Sequence, residues 1–147
     1  MSEKDPIMPI LMSDGEDSPS KEGFVLSNRS IKAMKDIHPD LRKVVELAIT
    51  LTTHDFVITQ GRRTIQQQRE YVNEGKSQTM HSRHLVGCAV DYVDYPEFSY
   101  DLKTMGVIAQ AFKEAAKQLN IPIHWGGDWK HFVDSSHIEL DSDKYPD

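Results

Sequence analysis

Two segments of the chain repeat apolar residues at the three- and four-residue spacing of an amphipathic helix. In residues 38–52, Pro39 suits the first turn, and apolar residues follow at helical intervals. In residues 101–120 the same periodicity predicts one core-facing stripe, formed by Leu102, Met105, Ile108, Ala109, Phe112, Ala115, Ala116 and Leu119.

A third, more polar helix is predicted over residues 64–75, with Thr64 as its N-cap and Gly75 as its stop. Short runs rich in β-branched and aromatic residues predict four strands. These are residues 56–59, 88–93, 121–125 and 137–140. Helices and strands do not alternate strictly along the chain. The predicted fold class is therefore α+β, with a small, mostly antiparallel sheet packed with several helices.

The length of 147 residues fits a single domain, which we place at residues 24–147. Residues 1–23 contain six acidic and two basic side chains, a net charge of -4. Such a segment is typical of a solvated, flexible arm. The whole chain has a formal charge of -6, which disfavours nonspecific nucleic-acid binding because that requires a basic surface.

The N-terminal residues lack the pattern of a secretory signal, which is a basic segment followed by a continuous apolar run. Asp5, Pro6 and Pro9 interrupt the hydrophobic patch near the start of the chain. No stretch reaches the roughly 20 apolar residues that a membrane-spanning helix needs. We therefore expect synthesis in a cytoplasm without a signal peptide, and no insertion into a membrane.

Residues 81–91, HSRHLVGCAVD, combine a histidine and an aspartate in a way that suggests a metal site. On the predicted strand, Ala89 and Asp91 point to one face and Cys88 to the other, so Cys88 is assigned to the core. Asp91 lies in an otherwise apolar strand, where an unpaired carboxylate costs several kcal/mol. A metal held together with His84 would remove that penalty. A salt bridge or a loop-capping role for the aspartate would also do so, and both alternatives stay open.

Residues 128–140, DWKHFVDSSHIEL, supply what the first segment lacks. His137 and Glu139 share one face of the predicted last strand, and Asp134 precedes His137 by three residues. That spacing allows one residue to bind an ion while the other reaches its bound water. Two neutral imidazoles and one carboxylate are a common catalytic zinc set with a fourth position open for water. The two segments together predict a zinc site.

Three motifs occur in a fixed order over roughly residues 57–140. The pattern G-x-R-[ST] is matched by Gly61, Arg63 and Thr64. The pattern S-x-H-x-x-G-x-A-x-D is matched by Ser82, His84, Gly87, Ala89 and Asp91. The closing element is matched by Trp125, Gly126, Gly127, Asp128, Trp129, Asp134 and His137. In this order the motifs resemble the zinc D-alanyl-D-alanine peptidase family, and within it most of all the phage endolysins that are L-alanyl-D-glutamate peptidases.

The resemblance implies a role for each of five residues. His84, Asp91 and His137 would bind Zn²⁺. Asp134 would be the general base. Arg63 would lie near the scissile carbonyl, where a fixed cation stabilises the developing oxyanion; a salt bridge to an acidic residue is the alternative for Arg63. The resemblance also implies a hedgehog- and D,D-peptidase-like fold with the zinc site on the sheet face.

Other residues near these motifs have less defined expectations. His81 is a possible metal ligand in place of His84. His124 is expected to be a core or edge residue, and His131 to line the cleft. Trp125 and Trp129 flank a glycine-rich turn, and each is either a cleft wall or a cap on the sheet.

The function that the resemblance implies is hydrolysis of an amide bond in the stem peptides of bacterial peptidoglycan, at L-alanyl-D-glutamate. The expected enzyme is a monomeric endolysin that is made in the host cytoplasm and acts on the cell wall after release. The alternatives are a D-alanyl-D-alanine carboxypeptidase, which would use the same centre, and a non-catalytic zinc domain that binds cell-wall or protein ligands.

Overall fold

The computed structural model describes residues 23–77, 80 and 82–147. The predicted acidic arm, apart from Gly23, lies outside the described residues. The helices are α1 (Asn28–Ala33), α2 (Pro39–Leu51), α3 (Ile65–Asn73) and α4 (Leu102–Leu119). The strands are β1 (Phe56–Gln60), β2 (Ala89–Asp94), β3 (Ile123–Trp125) and β4 (His137–Leu140). Two short 3-10 turns cover Arg83–Val86 and Gly126–Asp128.

The four strands form one sheet in the order β1-β2-β4-β3, and every neighbouring pair is antiparallel. The predicted α+β class with a small antiparallel sheet is therefore confirmed. The register of β2 against β4 pairs Ala89 with Glu139 and Asp91 with His137. Residues paired across an antiparallel ladder point to the same face, so these four side chains share one side of the sheet.

The predicted helices form where local sequence stabilises their first turns. Thr64 caps α3 in a capping box, in which its side chain accepts from the backbone N–H of Gln67 and the Gln67 side chain accepts in return. The ring of His38 accepts a hydrogen bond from the Asp40 amide at the start of α2. Helix α1 was not predicted from the sequence, because six residues are too few to show a helical period.

The core lies between the sheet and helices α2 and α4. Its centre is a group of three aromatic rings, Phe56, Tyr92 and Phe112, with neighbouring centroids 5.0 to 6.2 Å apart. Six of the eight residues in the predicted α4 stripe are buried. The prediction is wrong for Leu102 and Leu119, which are 56% and 36% exposed because they lie in the terminal turns, past the packed part of the helix.

The opposite side of the sheet carries the polar side chains of the predicted site. Along β2, Val90 and Tyr92 belong to the core, whereas Asp91 faces the other way. Cys88, just before β2, is buried in the core as predicted. Within the described part of the chain, no helix has both the length and the apolar character needed to cross a membrane.

Candidate metal centre and active-site cleft

Three residues predicted as metal ligands converge on the polar face of the sheet. His84, Asp91 and His137 each offer one ligand atom, and the three atoms lie within 4.8 Å of one another. Asp91 Oδ1 is 3.2 Å from His84 Nε2 and 3.5 Å from His137 Nδ1. His84 and His137, which are 53 positions apart in sequence, are thus brought together because β2 and β4 are neighbours in the sheet.

The short turn before β2 fixes the position of His84. The side chain of Ser82 accepts a hydrogen bond from the His84 amide and starts the 3-10 turn. Gly87 ends the turn at φ 76°, where a Cβ would also lie 2.8 Å from the carbonyl oxygen of Asp36. His84 Nδ1 donates to the carbonyl oxygen of Gly61 at 2.7 Å. The ring is therefore buried and held from two sides.

The glycine-rich turn after β3 packs closely against the loop that carries Asp134. Gly126 accepts a hydrogen bond from the Asp134 amide at 3.0 Å, and a Cβ on Gly126 would lie 2.3 Å from the carbonyl oxygen of Asp134. A side chain at this position would push away the loop that carries Asp134 and leads into His137. The absence of a side chain at Gly126 therefore allows the Asp134 loop to pack against this turn.

The hydrogen bonds of the two imidazoles leave one free lone pair on each ring, directed at the shared centre. Gly61 O and the Glu139 carboxylate can only accept, so His84 Nδ1 and His137 Nε2 carry the protons; the His137–Glu139 distance is 2.8 Å. His84 Nε2 and His137 Nδ1 then face Asp91 Oδ1 as acceptors. Three acceptors facing one another form a favourable site for a cation, and this donor set suits zinc.

The ionisation of the centre follows from the same contacts. Burial opposes ionisation of Asp91, but when the two imidazoles are protonated, the charge of His84 and the hydrogen bonds from both rings outweigh it, so the pKa of Asp91 lies well below its ordinary value. Burial also lowers the pKa of His137, yet hydrogen bonds to Asp91 and Glu139 raise it overall. The centre therefore carries a fixed negative charge on Asp91 that strongly attracts protons or a metal ion.

Arg63 lies beside this centre and is 5% exposed. Its Nη2 is 3.7 Å from Asp91 Oδ2. Burial lowers the pKa of Arg63, while electrostatic interactions with Asp91, Tyr71 and Asp134 act in the opposite direction. The guanidinium donates to the side-chain oxygens of Gln60 and Gln68. The guanidinium's hydrogen bonds go to amides, and its ion pair with Asp91 leaves the predicted alternative of a salt bridge open.

A cleft of about 600 Å³ opens over the polar face of the sheet. It is lined by the three clustered ligand candidates together with Arg63 and Asp134. The Asp134 carboxylate accepts from the amide and hydroxyl of Ser136, at 3.3 and 3.0 Å. These bonds go to one oxygen, Oδ1. Three candidate metal ligands, the Asp134 carboxylate and the buried Arg63 cation thus share one concave site.

The two tryptophans have different positions, which separates the predicted alternatives. Trp125 is buried in the core, and its indole N–H donates to the carbonyl oxygen of Ser135 at 2.8 Å. It caps the sheet. Trp129 lines the cleft, with its ring centroid 5.1 Å from that of His137. Phe132, at φ 51° and half exposed, lies on the same rim.

The remaining histidines lie away from the centre or outside the described residues. His124 is on the edge strand β3 and pairs with Asp141 at 2.6 Å, as expected of an edge residue. His131 is exposed and is not part of the cleft lining, so the expectation that it lines the cleft is wrong. It is carried by the exposed stretch after Trp129. His81 lies outside the described residues.

A second group of ligand-type side chains, His54, Asp94 and Glu97, lies near the end of β2. The Asp94 carboxylate already accepts hydrogen bonds from the amides of Ser99 and Tyr100 and from the Ser99 hydroxyl. These bonds lower the pKa of Asp94 against the effect of burial. The group therefore stabilises the loop that follows β2.

The residues that support the centre were not predicted from the sequence. Glu139 was placed on the face of His137, but its bond to the imidazole was not predicted. Gln60 and Gln68 were not singled out at all. Strand alternation was the available signal for Glu139, since residues two apart in a strand share a face. No comparable signal exists for the two glutamines, because they come from different elements.

Comparison with known proteins agrees with the motifs. The family model described as phage L-alanyl-D-glutamate peptidase matches residues 22–145. The chain belongs to this family. The family predicted from the three motifs is therefore confirmed.

The L-alanyl-D-glutamate peptidase of Escherichia phage T5 is 30% identical over 134 residues, covering 80% of this chain and 98% of that protein. The peptidase of the same name from Listeria phage A118 is 36% identical over 98 residues, covering 62% of this chain and 32% of that protein. In the crystal structure of Serratia marcescens L-Ala D-Glu endopeptidase ChiX, the matched chain has a TM-score of 0.77 and 38% identity, covering 82% of this chain and 92% of that one. The TM-score shows that this chain and ChiX share the same fold.

Proposed function

We propose that this peptidase hydrolyses the L-alanyl-D-glutamate bond in the stem peptides of bacterial peptidoglycan. We further propose that it uses Zn²⁺ bound by His84, Asp91 and His137. The observation that carries the proposal is the convergence of these three ligand atoms within 4.8 Å, in a cleft that also contains Asp134 and Arg63. The names of its phage relatives and of ChiX support the choice of bond.

Each residue of the cleft has a chemical task in this proposal. Bound zinc supplies Lewis acidity, which polarises a carbonyl and lowers the pKa of a water molecule to about 7. Asp134 accepts the proton of the attacking water and delivers it to the leaving amine. Arg63 presents a fixed positive charge to the oxyanion that forms from the scissile carbonyl. His84 and His137 stay neutral and correctly oriented because each donates its other N–H to a fixed acceptor.

Digestion of purified peptidoglycan tests the bond that is cleaved. We expect the products, analysed by mass spectrometry, to carry new N-terminal D-glutamate and new C-terminal L-alanine. Release of free D-alanine would instead support the D-alanyl-D-alanine carboxypeptidase. Peptidoglycan that is bound but not cleaved would support the non-catalytic zinc domain, and either result would contradict the proposal.

Replacing Glu139 tests how the metal site is built. The carboxylate holds His137 through Nε2 at 2.8 Å, so we expect Glu139→Ala to weaken zinc affinity by about 10- to 100-fold, measured by competition with a chelator. Glu139→Gln keeps an oxygen acceptor for His137, so its zinc affinity should fall less than that of Glu139→Ala. Glu114→Ala, on the exposed face of α4, is the matched control. Zinc affinity equal to that of the control would show that Glu139 does not orient the ligand.

The route to the wall and the oligomeric state stay predictions. We propose that the enzyme acts on the wall after release from the host cytoplasm, because the related proteins are phage peptidases. Sedimentation at equilibrium tests the predicted monomer, and a mass of twice 16.8 kDa would contradict it.

A further inference from the structure

Neutral side chains surround the buried guanidinium of Arg63. Gln60 Oε1 accepts from Arg63 Nη2 at 2.7 Å and from Nε at 3.2 Å. Gln68 Oε1 accepts from Arg63 Nη1 at 2.5 Å. The Tyr71 ring packs against the guanidinium, with Cζ 4.2 Å from the ring centroid. Each of these contacts stabilises a cation without supplying a negative charge.

This arrangement differs from that of the other partly buried arginine near the cleft. Arg83 donates to the carboxylate of Asp147 and to the carbonyl oxygens of Leu140 and Tyr145. These bonds hold residues 140–147 against the turn before β2. Carboxylates are the usual partners of a buried guanidinium, because two parallel hydrogen bonds and opposite charges then coincide. Arg83 therefore has a carboxylate among its hydrogen-bond acceptors, whereas Arg63 donates to side-chain amides.

Arg63 has no equivalent partner among the residues that the structure describes. Its ion pair with Asp91 spans 3.7 Å, which is too long for a hydrogen bond. The other oxygen of Asp91 faces the two imidazoles. In the proposed function Asp91 is bound to zinc, so its charge is largely offset by the ion.

We propose that Gln60 and Gln68 are positioning residues that hold Arg63 through neutral acceptors, so that its positive charge remains available to the oxyanion. The inference rests on the proposed function and explains how the cation is buried without a carboxylate in hydrogen-bond contact with it. A carboxylate in either position would satisfy the same donors but would cancel the charge. The side chains at positions 60 and 68 must therefore be uncharged as well as able to accept a hydrogen bond.

The hydrogen bonds fix which atom of each amide faces the arginine. The Tyr71 hydroxyl donates to Gln60 Oε1 at 3.1 Å, on the same oxygen that Arg63 uses. Gln68 is fully buried, and its Nε2 donates to Ser77 Oγ at 2.9 Å. In Gln68→Glu the Ser77 hydroxyl can turn and donate to the new carboxylate oxygen, so the contact between these two side chains can be kept. The substitution thus changes charge with almost no change in shape.

The test compares Gln68→Glu and Gln60→Glu with Gln66→Glu, which makes the same charge change at an exposed position of α3. We expect kcat on peptidoglycan to fall by about 10- to 100-fold in Gln68→Glu and Gln60→Glu, because the new carboxylate offsets the Arg63 charge that stabilises the oxyanion. KM and the midpoint of thermal unfolding should remain close to those of the unmodified protein. Zinc affinity should rise several-fold, since a neutralised Arg63 no longer repels the metal ion.

The combination of slower turnover and tighter zinc binding is what a structural defect would not produce. A kcat within twofold of the control in both variants, with unchanged zinc affinity, would overturn the proposal. Unfolding of both variants would also overturn it, because the donors would then not tolerate a carboxylate. The zinc measurement needs no turnover, so it tests the role of Gln60 and Gln68 even if the unmodified protein does not cleave peptidoglycan. Failure of the unmodified protein to cleave peptidoglycan would contradict the proposed function alone.

Discussion

Replacing Asp134 with asparagine is expected to lower kcat on peptidoglycan by about 10² to 10⁴, the range that general acid–base catalysis contributes. Asparagine has nearly the same shape, and its carbonyl oxygen can still accept from the amide and hydroxyl of Ser136. It cannot accept a proton from water at neutral pH. The loss should therefore fall on kcat, while zinc content and the unfolding midpoint stay unchanged.

The measurement combines initial rates on purified peptidoglycan with metal analysis of the same samples. Asp128→Asn is the matched control, because Asp128 is an exposed aspartate of the adjacent turn that pairs with Lys113. It should retain full activity. An Asp134→Asn enzyme with the activity of this control would remove Asp134 from the mechanism. Loss of zinc together with activity would show instead that the residue supports the metal site.

The elements of this fold could be predicted to the extent that a periodic pattern spans them. Helices α2 and α4 are long and amphipathic, so their apolar spacing was sufficient. Helix α1 has six residues and depends on the Ser27 cap and on its contact with β1. That contact is a hydrogen bond from the Ile58 amide to the Ser30 hydroxyl, 28 residues away. Such an interaction has no local signature in the sequence.

The same limit applies to the site. His84 and Asp91 are seven positions apart with a glycine between them, and His137 follows Asp134 closely, so short motifs were enough to name them. Their convergence depends on the register of β2 and β4, which pairs Asp91 with His137. Register follows from the packing of the whole sheet. The neutral surroundings of Arg63 likewise become visible only once β1 and α3 are in place.

Replacing His84 with alanine is expected to remove zinc and abolish activity together. The imidazole is one of the three proposed protein ligands and is held by Gly61, so among the described residues we expect no other side chain to take its place without moving the turn before β2. We expect metal content after dialysis to fall from about one zinc per chain to a background value. In the unmodified protein, free zinc at 100 times Kd should raise the free energy of unfolding by about 2.7 kcal/mol. In the His84→Ala protein the same zinc concentration should give almost no stabilisation.

The matched control is His124→Ala, which removes an imidazole that pairs with Asp141 on the edge strand and lies outside the cleft. It should bind zinc and cleave peptidoglycan like the unmodified protein. Thermal unfolding with and without added zinc, run on both variants, separates loss of a ligand from loss of the fold. Full zinc binding by His84→Ala would mean that the metal is held elsewhere, and the three converging side chains could then not be the catalytic centre.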